Sequence, residues 1–129
     1  MSSIPKILVA EDERDIRELI GFTLRFAGFD VTLTKNGAEA LEQAPELKPD
    51  LIMLDVRMPQ MTGYEACRML KTNPDTSSIP VVILSAKGQD GEIQEGIDSG
   101  ADHYIVKPFA PDELTSRVKD ILRGIGALE

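Results

Sequence analysis

The chain has 129 residues, enough for one domain that buries a sizeable core. Hydrophobic residues make up 42% and charged residues 28%, a globular balance and not a disordered one. Asp plus Glu number 22 against 14 Lys plus Arg, and the net charge of −8 argues against direct contact of this domain with nucleic acid or an anionic membrane.

Residues 1–6 lack the charged start and long apolar stretch of a secretory signal, and no later apolar run approaches membrane-spanning length. The run Ile7-Leu8-Val9-Ala10 predicts a strand, β1, over about 6–10, leading into Glu11-Asp12-Glu13. A helix, α1, follows over about 14–27, with Ile16, Leu19, Ile20, Thr23 and Phe26 at helical spacing and Gly28 as its stop. Strand β2 is expected over about 30–34. Helix α2 starts at the N-cap Asn36 and is expected to end by Pro45. Strand β3, over about 51–54, is a continuous apolar run that ends at Asp55 and reads as buried on both faces. Helix α3 covers about 63–71. It carries Cys67, the only cysteine, which excludes an internal disulfide and a Cys-based zinc site. Cys67 reads as an inert packed thiol, and a reducing cytoplasm is the simple location.

Strand β4 is expected over about 81–84, ending at Ser85. Helix α4, about 90–99, is weakly specified: Gly91 and Gly96 interrupt it, and Ile93 and Ile97 are its clear core anchors. Strand β5, about 103–106, leads into Lys107-Pro108. Helix α5 begins near Pro111, with Leu114, Val118, Ile121, Leu122 and Ile125 as its stripe. This is one α/β domain over 1–129, a (βα)5 doubly wound parallel sheet with its core over about 6–123 and a short tail over 124–129. Right-handed crossovers with one change of winding direction predict the sheet order 2-1-3-4-5.

In that order β1 and β3 are neighbours, so Glu11, Asp12 and Asp55 share a crevice at the carboxyl edge of the sheet, where ligands bind in such folds. Three carboxylates there stay ionised together only beside a cation. An oxygen-only set points to Mg2+ or Mn2+, both of which favour phosphate oxygens as further ligands. Asp55 suits a nucleophile that forms an aspartyl phosphate. Lys107 offers an ammonium and Ser85 a hydroxyl to the phosphoryl oxygens. Singly, each residue has a plainer reading. Asp55 and Ser85 also suit turns or caps, Glu11-Asp12-Glu13 a helix start, and Lys107 the surface. His103, the only histidine, reads as a partly buried strand residue.

The segments "KILVAEDE", "DLIMLDVRMPQMTGYEACRML", "IPVVILSAK" and "GADHYIVKPF" resemble the response-regulator receiver domains of two-component signalling, over about residues 6–123. The resemblance implies a flavodoxin-like fold with Asp55 as phosphoacceptor. It implies metal binding by Glu11, Asp12, Asp55 and the backbone carbonyl of Arg57, with Mg2+ as cofactor. Ser85 becomes the switch hydroxyl, Tyr104 the aromatic switch and Lys107 the phosphoryl-binding lysine. Pro108 follows a cis peptide. Gly63 stands where a side chain would clash. Glu11 departs from the commoner Asp, and its longer arm implies an outer, water-bridged ligand.

The implied function is a switch that takes a phosphoryl group from a histidine kinase or phosphotransfer protein. It then alters its α4–β5–α5 face to control a downstream partner or output domain, with a phosphorylation-dependent homodimer through that face. It catalyses its own phosphorylation and dephosphorylation and acts as no other enzyme. Arg57 and Lys87, two residues after Asp55 and Ser85, flank the path of an attacking water and imply slow hydrolysis. Two alternatives fit less well. An aspartyl-phosphate phosphatase of the haloacid dehalogenase type needs Asp-x-Asp, and Arg57 stands at the second position. A flavin carrier needs a phosphate-cradling first loop, and Glu11-Asp12-Glu13 repels phosphate.

Overall fold

In the computed structural model, which describes residues 4–86 and 99–128, the apolar runs pair as one parallel five-stranded sheet in the order β2-β1-β3-β4-β5. The strands are β1 (Lys6–Ala10), β2 (Asp30–Thr34), β3 (Leu51–Asp55), β4 (Val81–Ala86) and β5 (His103–Lys107). The helices among the described residues are α1 (Arg14–Phe26), α2 (Gly37–Leu47), α3 (Gly63–Thr72) and α5 (Pro111–Gly124). The α4 expectation, with Gly91, Ile93, Gly96 and Ile97, falls almost wholly outside the described residues.

Strand alternation divides the core into two layers. Ile7 and Val9, Leu51 and Met53, and Val82 and Leu84 face α1 and α5, where they meet Ile20, Leu24, Leu114, Val118 and Leu122. Leu8 and Ala10, Ile52 and Leu54, and Val81 and Ile83 face α2 and α3, where they meet Ala40, Ala44, Tyr64, Cys67 and Leu70. Each fully buried Leu or Ile contributes about 1.5–3 kcal/mol of transfer free energy, so the central strands hold the carboxyl edge rigidly.

Local signals place most helix ends. Asn36 Oδ1 accepts from the Glu39 N–H at 2.9 Å. Gly28 takes φ 99° after α1, where the Phe29 N–H donates to the Leu24 carbonyl at 3.1 Å. Thr62 and Glu65 form a reciprocal cap on α3. Pro111 opens α5.

Three expectations are corrected. Pro45 does not end α2. It lies inside, and the helix runs on to Leu47 before Lys48 turns left-handed at φ 51°. A proline this close to the C-terminus removes one hydrogen bond, and the Lys48 N–H still closes on the Ala44 carbonyl at 2.9 Å. On α1, Leu19 and Phe26 are 42% and 85% exposed, while Leu24 is fully buried. Residues 19, 22 and 26 form a second apolar stripe with the same period, and the periodicity cannot say which stripe faces the sheet. Phe22 and Phe26 stack on each other at the surface, ring centroids 6.2 Å apart. On α5, Ile125 is the C-cap and half-exposed, and Ala127 and Leu128 pack against the core beyond it.

Gly63 opens α3 directly beneath the end of β3. A Cβ there would collide with the backbone carbonyl oxygen of Asp55 and lie 2.9 Å from its carbonyl carbon. Gly63→Ala should therefore destabilise the fold by about 2 kcal/mol, the usual cost of overpacking against backbone. Gly124→Ala, with nothing within 4 Å of its Cβ, serves as the neutral comparison in urea denaturation.

Candidate functional site

The register of the strands brings the polar ends together. Ala10 pairs with Leu54, which sets Glu11 beside Asp55, and Asp55 itself pairs with Leu84 of β4. Ala86 pairs with Lys107, the last residue of β5. Strands β3, β4 and β5 each run past their expected ends, so Asp55, Ser85 and Lys107 belong to the strands and inherit their rigidity.

Carboxylate oxygens of Glu11, Asp12 and Asp55 lie within 4.8 Å of one another. Glu11 and Asp55 are buried, whereas Asp12 is exposed at the rim. The Lys107 ammonium reaches between the two buried acids, 2.7 Å from Asp55 Oδ1 and 2.9 Å from Glu11 Oε1. The Lys107–Pro108 peptide bond is cis. Glu11 is held by both oxygens, since Oε2 accepts from the Glu13 N–H at 3.3 Å. A cavity of about 510 Å3 opens over this group, lined by Asp12, Asp55, Arg57 and Lys107 among others. A larger hollow of about 740 Å3 between α1 and α5 contains none of the strand-end residues.

The electrostatics follow from burial. Desolvation pushes the Glu11 carboxyl up to about 7, the Lys107 ammonium opposes that rise, and Asp55 adds to it. Burial works against the Lys107 ammonium, but its hydrogen bonds to Asp55 and Glu11 outweigh burial and raise its pKa. The site carries more negative charge than one lysine offsets. Its donors are all hard oxygens at close mutual distance, which fits a small divalent cation.

Ser85 and Tyr104 are not in this cluster. Ser85 is buried on β4, in register with Val106. Tyr104 is half-buried and packs with the α2–α3 layer, and its carbonyl accepts from Arg117 Nη2 at 2.9 Å. Arg57 stands exposed at the cavity rim, and Lys87 lies outside the described residues. His103 is a half-buried strand residue opposite Val82. Cys67 is buried on α3, and desolvation pushes its thiol up, as suits an inert packed cysteine. The sequence reading missed Arg17, whose Nη1 donates to the Glu11 carbonyl at 2.9 Å and the Asp12 carbonyl at 3.2 Å.

Comparison with known proteins agrees with this fold. A family model described as response regulator receiver domain matches residues 7–119. The phosphate regulon transcriptional regulatory protein PhoB of Rhizobium meliloti (strain 1021) is 42% identical over 120 residues, covering 93% of this chain and 53% of that protein. The chain thus spans about half the length of the curated relatives it matches. The chemotaxis protein CheY4 of Vibrio cholerae superposes with a TM-score of 0.88 at 32% identity, covering 93% of this chain and 100% of that one. The receiver domain of sensor histidine kinase PA1611 from Pseudomonas aeruginosa PAO1 gives 0.85 at 31% identity, covering 96% and 99%. That structure has a magnesium ion coordinated in its active site cleft.

The raised Glu11 pKa has a measurable consequence. A carboxyl with a higher pKa in the folded state than in the unfolded state stabilises the fold at low pH. That stabilisation is lost as pH rises through the folded value. Metal-free protein should therefore lose stability between pH 4.5 and about 7 through Glu11. The raised Lys107 pKa contributes nothing in that window, because its ordinary value of 10.5 lies above it. Urea midpoints measured with a chelator present should show the decline, and Glu11→Gln should flatten it. Parallel profiles for the two proteins would count against the assignment.

Proposed function

The chain belongs to the response regulator receiver domain family, and on that premise we propose that it is a phosphorylation-controlled switch whose acceptor is Asp55. The observation that carries the reading is Lys107 lying 2.7 Å from Asp55 Oδ1, beside a cavity lined by Asp12 and Asp55, with carboxylate oxygens of Glu11, Asp12 and Asp55 within 4.8 Å of one another. The phosphodonor is a phosphorylated histidine of a histidine kinase or phosphotransfer protein. A carboxylate oxygen of Asp55 attacks phosphorus, and the N–P bond breaks with its electron pair going to the imidazole. The product is an acyl phosphate on Asp55. Lys107 follows the charge from the carboxylate to the phosphoryl oxygens, and the Ser85 hydroxyl donates to another of them.

Glu11, Asp12, Asp55 and the backbone carbonyl of Arg57 form the cation site. A bound Mg2+, or Mn2+, supplies charge neutralisation and orients the phosphoryl oxygens. Glu11, with both oxygens already engaged inside the protein, suits an outer position reached through water. Reversal needs a water to attack the same phosphorus and restore the Asp55 carboxylate. The chemistry is confined to the protein's own phosphorylation state, so this is a signalling component and not an enzyme with a separate substrate.

The output is a change of surface. Ser85 moving toward the phosphoryl group frees space on the opposite layer for Tyr104, and the α4–β5–α5 face changes shape. The described part of that face includes Val106, 47% exposed on the edge strand β5, and Arg117 anchored to the Tyr104 carbonyl. A downstream protein or output domain reads this face, and two phosphorylated copies pair through it. The setting is the cytoplasm.

Acetyl phosphate with Mg2+ should add the mass of one phosphoryl group, and omission of the metal should abolish the gain. Labelling of Asp55→Asn at the wild-type rate would refute the acceptor. Lys107→Gln should slow uptake on the order of 100-fold, the usual loss for one preorganised donor to a developing oxyanion. Hydrogen exchange with and without a phosphoryl mimic should change in β5 and α5. A response confined to α1 and α2 would rule out that face.

A further inference from the structure

We propose that Arg17 is a positioning residue that aims the exposed carboxylate of Asp12 at the cation. The inference rests on the metal reading above. Of the three acids, Asp12 is the one the fold does least to hold: it is exposed and lies between the end of β1 and the start of α1. Its direction depends on its own backbone angles, which are set by the peptide planes on either side of its Cα. Those two planes carry the carbonyls of Glu11 and Asp12.

Arg17 Nη1 donates to both, at 2.9 Å and 3.2 Å. One guanidinium nitrogen thus clamps the two planes that define where the Asp12 Cβ points. The clamp is itself anchored. The Arg17 N–H donates to the Glu13 carbonyl at 2.9 Å in the first turn of α1. The other side of the loop is tied to β2, where the Glu11 N–H donates to the Thr34 carbonyl at 3.1 Å. Thr34 in turn donates through Oγ1 to the Val9 carbonyl at 2.8 Å. The two N–H bonds of that nitrogen are fixed in the guanidinium plane, so they meet the two carbonyls with less freedom than a rotating ammonium would have.

The clamp has an opposing effect that makes it testable. A guanidinium beside the loop repels a divalent cation. If Arg17 acted only through its charge, neutralising it would tighten Mg2+ binding. If it acts by positioning, neutralising it weakens binding, because supports behind metal ligands are commonly worth tenfold or more in affinity. The two roles predict opposite signs.

The experiment is calorimetric titration of the full chain with MgCl2 at neutral pH, for wild type, Arg17→Met and Arg17→Lys, with urea denaturation of each protein alongside. The expected result is about tenfold weaker binding by Arg17→Met, with Arg17→Lys between it and wild type. Unchanged or tighter binding by a folded Arg17→Met overturns the inference and leaves the metal reading standing. Should Arg17→Met not fold, Arg17→Lys decides, and wild-type affinity in that variant overturns the inference. Absence of Mg2+ binding by the wild type overturns the metal reading, and the inference with it.

Discussion

Two carboxylates buried side by side are tolerated only when a positive group reaches both, and at the carboxyl edge of this sheet that group is Lys107. Much of the architecture answers to this requirement. The ammonium arrives from β5, two strands away from Asp55, so the pairing of β3 with β4 and of β4 with β5 has to hold its register across the intervening strand. A slip of one residue would send Lys107 to the opposite layer, because strand side chains alternate. The long apolar runs of the central strands prevent that slip: the same shift would move Ile105 out of the α1–α5 layer. The hydrophobic core therefore fixes a charge separation as firmly as it fixes the fold.

On the proposed reading, the same alternation separates chemistry from readout. Asp55 lies two residues beyond Met53, and Lys107 two beyond Ile105, and both of those apolar residues are on the α1–α5 layer. Ser85 lies two residues beyond Ile83, which is on the other layer, where Tyr104 also packs. An event at Asp55 has to cross the sheet to reach Tyr104. The shortest route is the end of β4, where Leu84 is the register partner of Asp55 and Ser85 is the next residue. A hydroxyl suits that position: it is small enough to be buried and can donate across the strand ends. The Arg117 contact to the Tyr104 carbonyl ties α5 to the backbone of β5, which gives the outer helix a direct link to any movement of that strand.

Much of this was legible in the chain. The strands announced themselves as apolar runs, the sheet order followed from crossover handedness, and Asn36, Gly28 and Pro111 marked helix ends for local reasons that tertiary structure did not override. The acids and the lysine could be assigned to one edge because each follows a strand. Strand ends were less legible. Asp55, Ser85 and Lys107 are polar and read as loop residues, yet neighbouring strands pair with them or beside them. The face of α1 was ambiguous because it bears two apolar stripes, and packing alone selects between them. Arg17 was not legible, because its bonds reach back six and five residues into a loop and follow no helical spacing. Such contacts depend on the loop's conformation, which propensities and periodicity do not specify.

The charge count at the site sets its chemical character. Three carboxylates and one ammonium leave an excess of negative charge in a partly buried crevice. There are two ways to remove it. A proton on Glu11 is one, and burial has brought that carboxyl to about 7, close enough to neutrality for protonation to compete. A divalent cation is the other, and it would return Glu11 to its ionised form. Proton and metal are thus alternative solutions to one electrostatic problem, so occupation by one opposes the other. The longer arm of Glu11 belongs to this balance. It lets one oxygen meet Lys107 while the other meets the Glu13 N–H, so this acid is held by protein whether or not a cation is present. Asp12, exposed and held through the Arg17 bond to its backbone carbonyl, is left as the acid that answers most directly to the solvent and to whatever ion it brings.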